Sequence, residues 1–104
     1  MEKESLRQSK SVGVVIPAFN EAENLPQVLN AVCSAGWVRE IIVVDDGSHD
    51  RTLEVSQGAA ERDRRVLAVH LPENRGKAAA MLTGVQALHT DLVIFLDADL
   101  VGLK

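Results

Sequence analysis

Near its carboxyl end the chain reads Val93-Ile94-Phe95-Leu96-Asp97-Ala98-Asp99, an apolar run that ends in two carboxylates one residue apart. A continuous apolar run of this length predicts a strand buried on both faces, as in a parallel sheet with helices on either side. Acidic residues that follow such a strand lie at the carboxyl edge of the sheet, where open α/β folds bind ligands. The stretch Ile41-Ile42-Val43-Val44-Asp45-Asp46-Gly47-Ser48 repeats the arrangement. Together the two stretches predict one ligand site at that edge.

Strands and amphipathic helices alternate along the chain. Strands are predicted over residues 12–16, 40–44, 66–71 and 91–96. Helices are predicted from an N-cap at Asn24 to a stop at Gly36, over residues 51–63, and over residues 77–89. This alternation with short connections predicts an α/β fold: a Rossmann-like, three-layer α/β/α arrangement around a mostly parallel sheet. The expected strand order is 3-2-1-4.

Length, charge and cysteine content limit what the chain can be. Its 104 residues suffice for one domain, and its 46% hydrophobic and 25% charged residues are typical of a globular chain. A net charge of −4 disfavours nucleic acid as a partner, and acids gathered at one edge favour a divalent cation. The single cysteine, Cys33, precludes an internal disulfide and fits a reducing compartment, so we expect a cytoplasmic location.

The two ends of the chain lead to separate expectations. Residues 1–11 are predicted to form a flexible leader, too charged for a signal peptide or membrane anchor, and residues 12–104 to form the domain. No apolar stretch approaches the roughly 20 residues that span a bilayer. No turn signal or further element follows the acidic pair, so we expect the chain to be part of a longer protein.

Asp97 and Asp99 are predicted to hold a metal ion. Two carboxylates about 5 Å apart repel each other by roughly 3 kcal/mol at an effective dielectric constant near 20. Mg²⁺ or Mn²⁺ would remove that penalty, because hard cations prefer oxygen ligands and often keep waters and substrate phosphates around them. A nucleoside diphosphate would supply those phosphates. The alternative is a pair of solvated acids in a surface loop or helix cap.

The acids Asp45 and Asp46 are expected to divide two roles. One of them would cap the turn at Gly47 and Ser48, and the other would face the crevice and accept hydrogen bonds from a nucleobase or a ribose hydroxyl. Gly47 would let the backbone come close to a ligand.

Two further segments are expected at the same edge. Residues 17–21 leave the first strand there, and the ring of Phe19 forms either a wall of a base pocket or part of the core. Lys77 opens a helix, and helix N-termini bind anions, so it is either a phosphate or base contact or a plain surface lysine. Neither a Walker loop nor a Gly-x-Gly-x-x-Gly fingerprint is present.

Four segments, in order, resemble the family 2 glycosyltransferases of the GT-A fold. They are Val15-Ile16-Pro17-Ala18-Phe19-Asn20-Glu21, Val43-Val44-Asp45-Asp46-Gly47-Ser48, Asn74-Arg75-Gly76-Lys77 and Asp97-Ala98-Asp99. The resemblance covers almost the whole chain but only the first, nucleotide-sugar-binding half of such an enzyme. It is strongest toward the polyprenyl-phosphate and dolichol-phosphate sugar transferases. It implies a UDP- or GDP-sugar donor, Mg²⁺ or Mn²⁺, a lipid phosphate as acceptor, and membrane association of the full-length parent.

The resemblance also implies roles for individual residues. The nucleoside and its phosphates would contact a set of substrate-binding residues: Pro17, Ala18, Phe19, Glu21, Val44, Asp46, Lys77, Asp97 and Ala98. Asp99 would hold the metal, with Asp97 sharing it. The acceptor site and its general base normally lie beyond the acidic pair, so no catalytic base is assigned.

Two other functions remain open from the sequence. Residues 43–46 and 93–97 also resemble segments of receiver domains, phosphoacceptor signalling modules that use an acidic cluster with Mg²⁺. The chain is alternatively a catalytically inactive fragment. An open sheet edge in such a fragment favours a homo-oligomer through edge pairing.

Overall fold

A computed structural model describes residues 10–100 of the chain. Strands and helices alternate as β1 (Val12–Ala18), α1 (Leu25–Cys33), β2 (Val38–Asp46), α2 (Thr52–Arg62), β3 (Val66–Leu71), α3 (Lys77–Ala87) and β4 (Leu92–Phe95). All strand pairs are parallel, and the sheet has the order β3-β2-β1-β4. The predicted α/β class and strand order are therefore confirmed.

Side chains of the central strands alternate between the two faces of the sheet. Val14 and Ile16 of β1 join a core with α1 and α2, whereas Val15 joins a second core with Ala80 of α3. The period of two along a strand thus gives each face its own helices. This arrangement confirms the three predicted layers.

α3 lies close to the centre of the sheet because Gly84 has no side chain. A Cβ at this position would overlap the side chain of Val15. The close approach holds α3 against β1 and β2, so that its first residue, Lys77, lies near the carboxyl edge of the sheet.

Pro17 does not end β1, contrary to the prediction. Val15 accepts a backbone hydrogen bond from Leu96 on the β4 side, and β4 pairs with β1 no further than Val15. The backbone nitrogen of Pro17, two residues later, faces the same β4 side but lies beyond the last residue that pairs with β4. A residue without an N–H is tolerated there, because no ladder bond is lost.

The predicted ends of the helices need correction. Asn24 occupies the N-cap position of α1, but its side chain donates to Glu21 Oε1 instead of capping the helix. α1 ends at Cys33, before the predicted stop at Gly36, and the hydroxyl of Ser34 donates a hydrogen bond to the carbonyl of Asn30.

No helix within residues 10–100 is long and apolar enough to cross a membrane.

β4 is an edge strand, not the doubly buried strand that its sequence predicts. All four of its side chains are exposed, from 38% for Val93 to 50% for Leu92. In residues 10–100, β4 pairs only with β1, and α3 packs mainly over β1 and β2. Within the described part of the chain, this strand therefore lacks cover on its faces and on one edge.

Most of the predicted leader, residues 1–9, lies outside the described residues. Ser11, its last residue, donates its backbone N–H to Asp91 Oδ2 at 2.9 Å, beside the start of β4.

Candidate functional site

The carboxyl ends of β1 and β2, the N-terminus of α3 and the acids after β4 surround a cleft of about 280 Å³. This volume is near the lower end of the range for small-molecule sites. The cleft is lined by Pro17, Ala18, Phe19, Glu21, Asp46, Asn74, Gly76, Lys77, Ala80, Asp97, Ala98 and Asp99. All predicted site residues except Val44 therefore line one cleft.

Val44 lies beneath the cleft. It is fully buried in the core with Val15 and Ala80 and does not line the cleft. Its side chain, expected to contact the nucleoside, packs in the core beneath α3. Asp46 projects to the same face two residues later, beyond the core.

Asp46 binds the loop that opens α3. Its side chain is almost fully buried, and its Oδ1 accepts the N–H of Arg75 at 2.8 Å. Its Oδ2 accepts the N–H of Gly76 at 3.0 Å and the side-chain amide of Asn74 at 3.1 Å. A carboxylate has about four acceptor positions, and hydrogen bonds from residues 10–100 use three of those on Asp46.

Asp45 points to the opposite face and caps the next turn. Its Oδ1 accepts the N–H of Ser48 at 3.1 Å, and its Oδ2 lies 2.8 Å from His70 Nδ1. As predicted, one acid, Asp45, caps the turn, and the other, Asp46, lies at the cleft. Gly47 has a φ of +71°, and a Cβ there would overlap the loop before α3.

Four hydrogen bonds join the loops that follow β1 and β2, and we call them the loop network. The bonds run from Asn20 N–H to Ser48 Oγ (2.8 Å), from Glu21 N–H to Thr52 Oγ1 (2.9 Å), from Ala22 N–H to Asp50 Oδ2 (3.1 Å) and from His49 N–H to Asn20 Oδ1 (2.8 Å). Asn20 takes a left-handed φ of 54°, a conformation that Asn tolerates well. The network fixes the loop that carries Phe19.

Phe19 lies in the cleft wall, not in the core. Its side chain is 40% exposed, and its ring packs edge-to-face on His49 with the ring centres 6.4 Å apart. The exposed ring provides an apolar surface for a flat ligand group.

Lys77 and Asp97 form an ion pair inside the cleft. Lys77 Nζ lies 2.5 Å from Asp97 Oδ1, and both side chains are more than half exposed. The hydrogen bond to the Asp97 carboxylate, and then the negative charges of Asp97 and Asp99, raise the pKa of Lys77 above its usual value. Lys77 is therefore a cationic group of the cleft.

The acids after β4 fit a metal that arrives with other ligands. Residues 10–100 contain no group of three or more His, Cys, Asp or Glu side chains placed to hold a metal ion. Asp97 and Asp99 offer two carboxylates at the cleft. Mg²⁺ needs six oxygen ligands and commonly takes one or two from the protein and the rest from phosphates and water. The donor set therefore fits a cation bridged to a phosphorylated ligand.

A second cleft is larger, about 590 Å³, and lies at the opposite end of the sheet. Its charged lining residues are mainly basic, including Arg39 and Arg64, and its one acid, Glu40, binds His89. None of the predicted site residues lies there. The cleft with converging acids is therefore the candidate functional site.

Three residues of the cleft received no individual role from the sequence: Asn74, Gly76 and Ala80. Asn74 and Gly76 belong to the segment that was expected to open a helix at an anion site. Their contact with Asp46, about thirty positions earlier in the chain, has no local sequence signal.

Comparisons with known proteins agree on one family. The sequence profile described as Glycosyl transferase family 2 matches residues 13–102. A protein of Pseudomonas paraeruginosa (strain DSM 24068 / PA7) named undecaprenyl-phosphate 4-deoxy-4-formamido-L-arabinose transferase is 52% identical over 94 residues, which are 86% of this chain and 28% of that protein. Its namesake from Pectobacterium atrosepticum is 43% identical over 88% of this chain and 29% of that protein. The chain spans less than a third of these curated relatives.

Solved structures share the arrangement of the sheet. A mannosyltransferase from Pyrobaculum calidifontis in complex with GDP-Man and Mn²⁺ superposes with a TM-score of 0.80 at 30% identity, over 88% of this chain and 28% of that one. Glucosyl-3-phosphoglycerate synthase from Mycobacterium tuberculosis in complex with UDP gives a TM-score of 0.75 at 29% identity, over 88% and 35%. Both neighbours are transferases with a GT-A fold.

Proposed function

Because the chain belongs to glycosyl transferase family 2, we propose that it is the donor-binding part of a transferase that uses a nucleoside-diphosphate sugar with Mg²⁺ or Mn²⁺. The observation that carries the proposal is the convergence of Asp46 and Asp99 on one cleft. Asp46 comes from the end of β2 and Asp99 follows β4, so one small ligand can contact both.

The nucleoside would occupy the side of the cleft formed by Phe19 and Asp46. The exposed ring of Phe19 suits contact with a flat base, and the acceptor position of Asp46 that no bond from residues 10–100 uses would take a base N–H or a ribose hydroxyl. Pro17, Ala18 and Glu21 complete this side.

The diphosphate would occupy the side formed by Lys77 and the acids after β4. The ammonium group of Lys77 and the N-terminus of α3 both favour phosphate, and Ala98 presents no bulk between the two acids. Asp99 and Asp97 would hold the cation. When bound, the metal supplies Lewis-acid stabilisation of the departing nucleoside diphosphate.

The names of relatives support a lipid acceptor for the parent protein. The curated relatives are named for transfer to undecaprenyl phosphate, and we propose a polyprenyl phosphate of this kind as the acceptor. Such an acceptor lies in a membrane, so we propose membrane association of the parent. We expect little or no transfer by residues 1–104 alone, since the family's acceptor site normally follows the acidic pair.

We also propose that this chain, when isolated, forms a homo-oligomer through β4. Among residues 10–100 the strand pairs on one edge only, with β1, and its four apolar side chains are exposed. Such an edge favours pairing with another copy.

A nuclear magnetic resonance titration tests donor binding. UDP or GDP with Mg²⁺ should shift the amide signals of Asp46, Gly76 and Asp99 at millimolar nucleotide, and the shifts should shrink when EDTA removes the metal. Uridine or guanosine, which lack the diphosphate, should shift only the Phe19 and Asp46 region. Absence of shifts with both nucleotides would end the proposal.

The phosphoacceptor alternative has its own test. Acetyl phosphate should leave the mass of the chain unchanged, because a member of this family has no phosphoacceptor step. A stable mass gain at Asp97 would favour a signalling domain.

A further inference from the structure

We propose that Lys77 competes with the divalent cation for Asp97, and that a nucleoside diphosphate ends this competition by attracting the ammonium group to its phosphates. The inference rests on the proposed function, because it takes the cleft as a site for metal and diphosphate. Its starting point is the ion pair in the cleft, in which Lys77 Nζ lies 2.5 Å from Asp97 Oδ1.

The other two acids of the cleft already have partners: Asp46 binds the loop before α3, and Glu21 Oε1 accepts the side-chain amide of Asn24. The metal would therefore depend on Asp97 and Asp99. Within residues 10–100 there is no third acid, histidine or cysteine that could join them around an ion. A cation bound to Asp97 would therefore lie close to the Lys77 ammonium group, and two positive charges on one carboxylate repel each other. In the free protein, Lys77 thus holds a position that the metal needs.

Lys77 can leave Asp97 without any movement of the helix. It is the first residue of α3, and its backbone follows Gly76, whose N–H is bound by the buried carboxylate of Asp46. The side chain is mostly exposed and ends in a compact ammonium group on a flexible four-carbon stem. Rotation of the stem alone can carry the charge from Asp97 to a phosphate in the same cleft.

The competition would make metal and nucleotide binding depend on each other. A diphosphate would strengthen metal binding twice, by supplying ligands and by removing Lys77 from Asp97. By linkage, the metal would strengthen nucleotide binding by the same factor. The free cleft would then bind metal only weakly, and cation and diphosphate would bind as a unit.

The test compares Lys77→Met with a matched control, Lys10→Met. Lys10 is the other lysine in residues 10–100, and it lies near the start of β1, away from the cleft. Mn²⁺ affinity is measured by electron paramagnetic resonance, first without nucleotide and then with UDP or GDP. Paramagnetic broadening of the Asp97 and Asp99 amides verifies that the ion is in the cleft.

Lys77→Met should bind Mn²⁺ about two- to fivefold more tightly without nucleotide, the range expected when one exposed ion pair no longer competes. The factor by which UDP or GDP enhances Mn²⁺ binding should fall by at least as much. Lys10→Met should match the unmodified chain in both measurements.

Two negative outcomes are distinguishable. If the unmodified chain binds Mn²⁺ with UDP or GDP, but Lys77→Met binds free Mn²⁺ no more tightly, the inference is overturned and the proposed function stands. If the unmodified chain binds no Mn²⁺ even with both nucleotides, the inference and the proposed function are overturned together.

Discussion

Replacement of Asp46 by Asn should destabilise the fold as well as weaken nucleotide binding. The substitution keeps the shape of the side chain but exchanges one acceptor oxygen for an NH₂ donor. Oδ1 accepts a hydrogen bond from the backbone N–H of Arg75, and Oδ2 accepts from the backbone N–H of Gly76 and the side-chain amide of Asn74. Whichever way the amide is turned, at least one backbone N–H then faces another donor.

The size of the effect follows from these contacts. A hydrogen bond to a charged acceptor contributes about 1.5–3 kcal/mol, and a buried donor left without a partner costs about 1–3 kcal/mol. In the better orientation the amide oxygen replaces Oδ2, so the bond to Arg75 is lost and the bonds to Gly76 and Asn74 lose their ionic character. We expect a loss of about 2–4 kcal/mol, a large part of the stability of a domain of this size.

Urea denaturation followed by circular dichroism measures the loss. Asp97→Asn is the matched control, because that carboxylate is more than half exposed and has one mobile partner, so its free energy of unfolding should change by less than about 0.5 kcal/mol. If Asp46→Asn were equally harmless, the loop before α3 would not depend on Asp46. Asp46 would then contribute nothing to the placement of Gly76 and Lys77 at the cleft.

Four further predictions follow from other contacts. Gly47→Ala should lower the free energy of unfolding by about 2 kcal/mol or more, because φ is +71° and a Cβ would overlap the loop before α3. Gly36→Ala is the control, since a Cβ at Gly36 would meet open space, and thermal denaturation compares the two variants. Arg65 donates hydrogen bonds to both carboxylate oxygens of Asp63, at 3.0 and 2.7 Å, and these bonds hold the pKa of that carboxyl far below its unfolded value. The contribution of Asp63 to stability is therefore complete above about pH 4 and is lost as the pH falls through the folded pKa. Asp63→Asn should therefore show a smaller loss of stability between pH 5 and pH 2 in urea titrations, and an unchanged pH dependence would contradict this. Asp99→Asn should make UDP and GDP binding insensitive to Mn²⁺ in isothermal titration calorimetry, and a preserved Mn²⁺ effect would exclude Asp99 as a ligand. Ile94→Lys should shift the chain to a monomer in light scattering, and a monomer before the substitution would refute pairing through β4.

The fold could be predicted because apolar periodicity reports which faces are buried. The sequence predicts a strand over residues 66–71, and β3 has the same bounds, Val66–Leu71. The strand order also agrees with the prediction. The predicted burial of β4 on both faces was wrong. An apolar run shows that a strand can be buried, but it does not show which elements cover it.

The location of the candidate site at one edge of the sheet could be predicted, but the contacts between its residues could not. Strand ends place Asp46 and Asp97 at one edge of the sheet, and the sequence shows this directly. The sequence did not show which of Asp45 and Asp46 faces the cleft, because that depends on the register of a strand whose predicted end fell short. The bonds from Asp46 to the loop before α3 depend on tertiary packing, for which nearby residues carry no signal.

The loop network has a consequence for recognition under the proposed function. The wall that bears Phe19 is joined to its neighbour before any ligand arrives, so little conformational entropy remains to be lost on that side when a ligand associates. The opposite side ends in the exposed, movable groups of Lys77 and Asp97. Such a protein should be selective for the nucleobase, because the preorganised side of the cleft cannot adapt to a different ring. It should be more permissive toward the group attached to the diphosphate, because the side chains on that side can adjust.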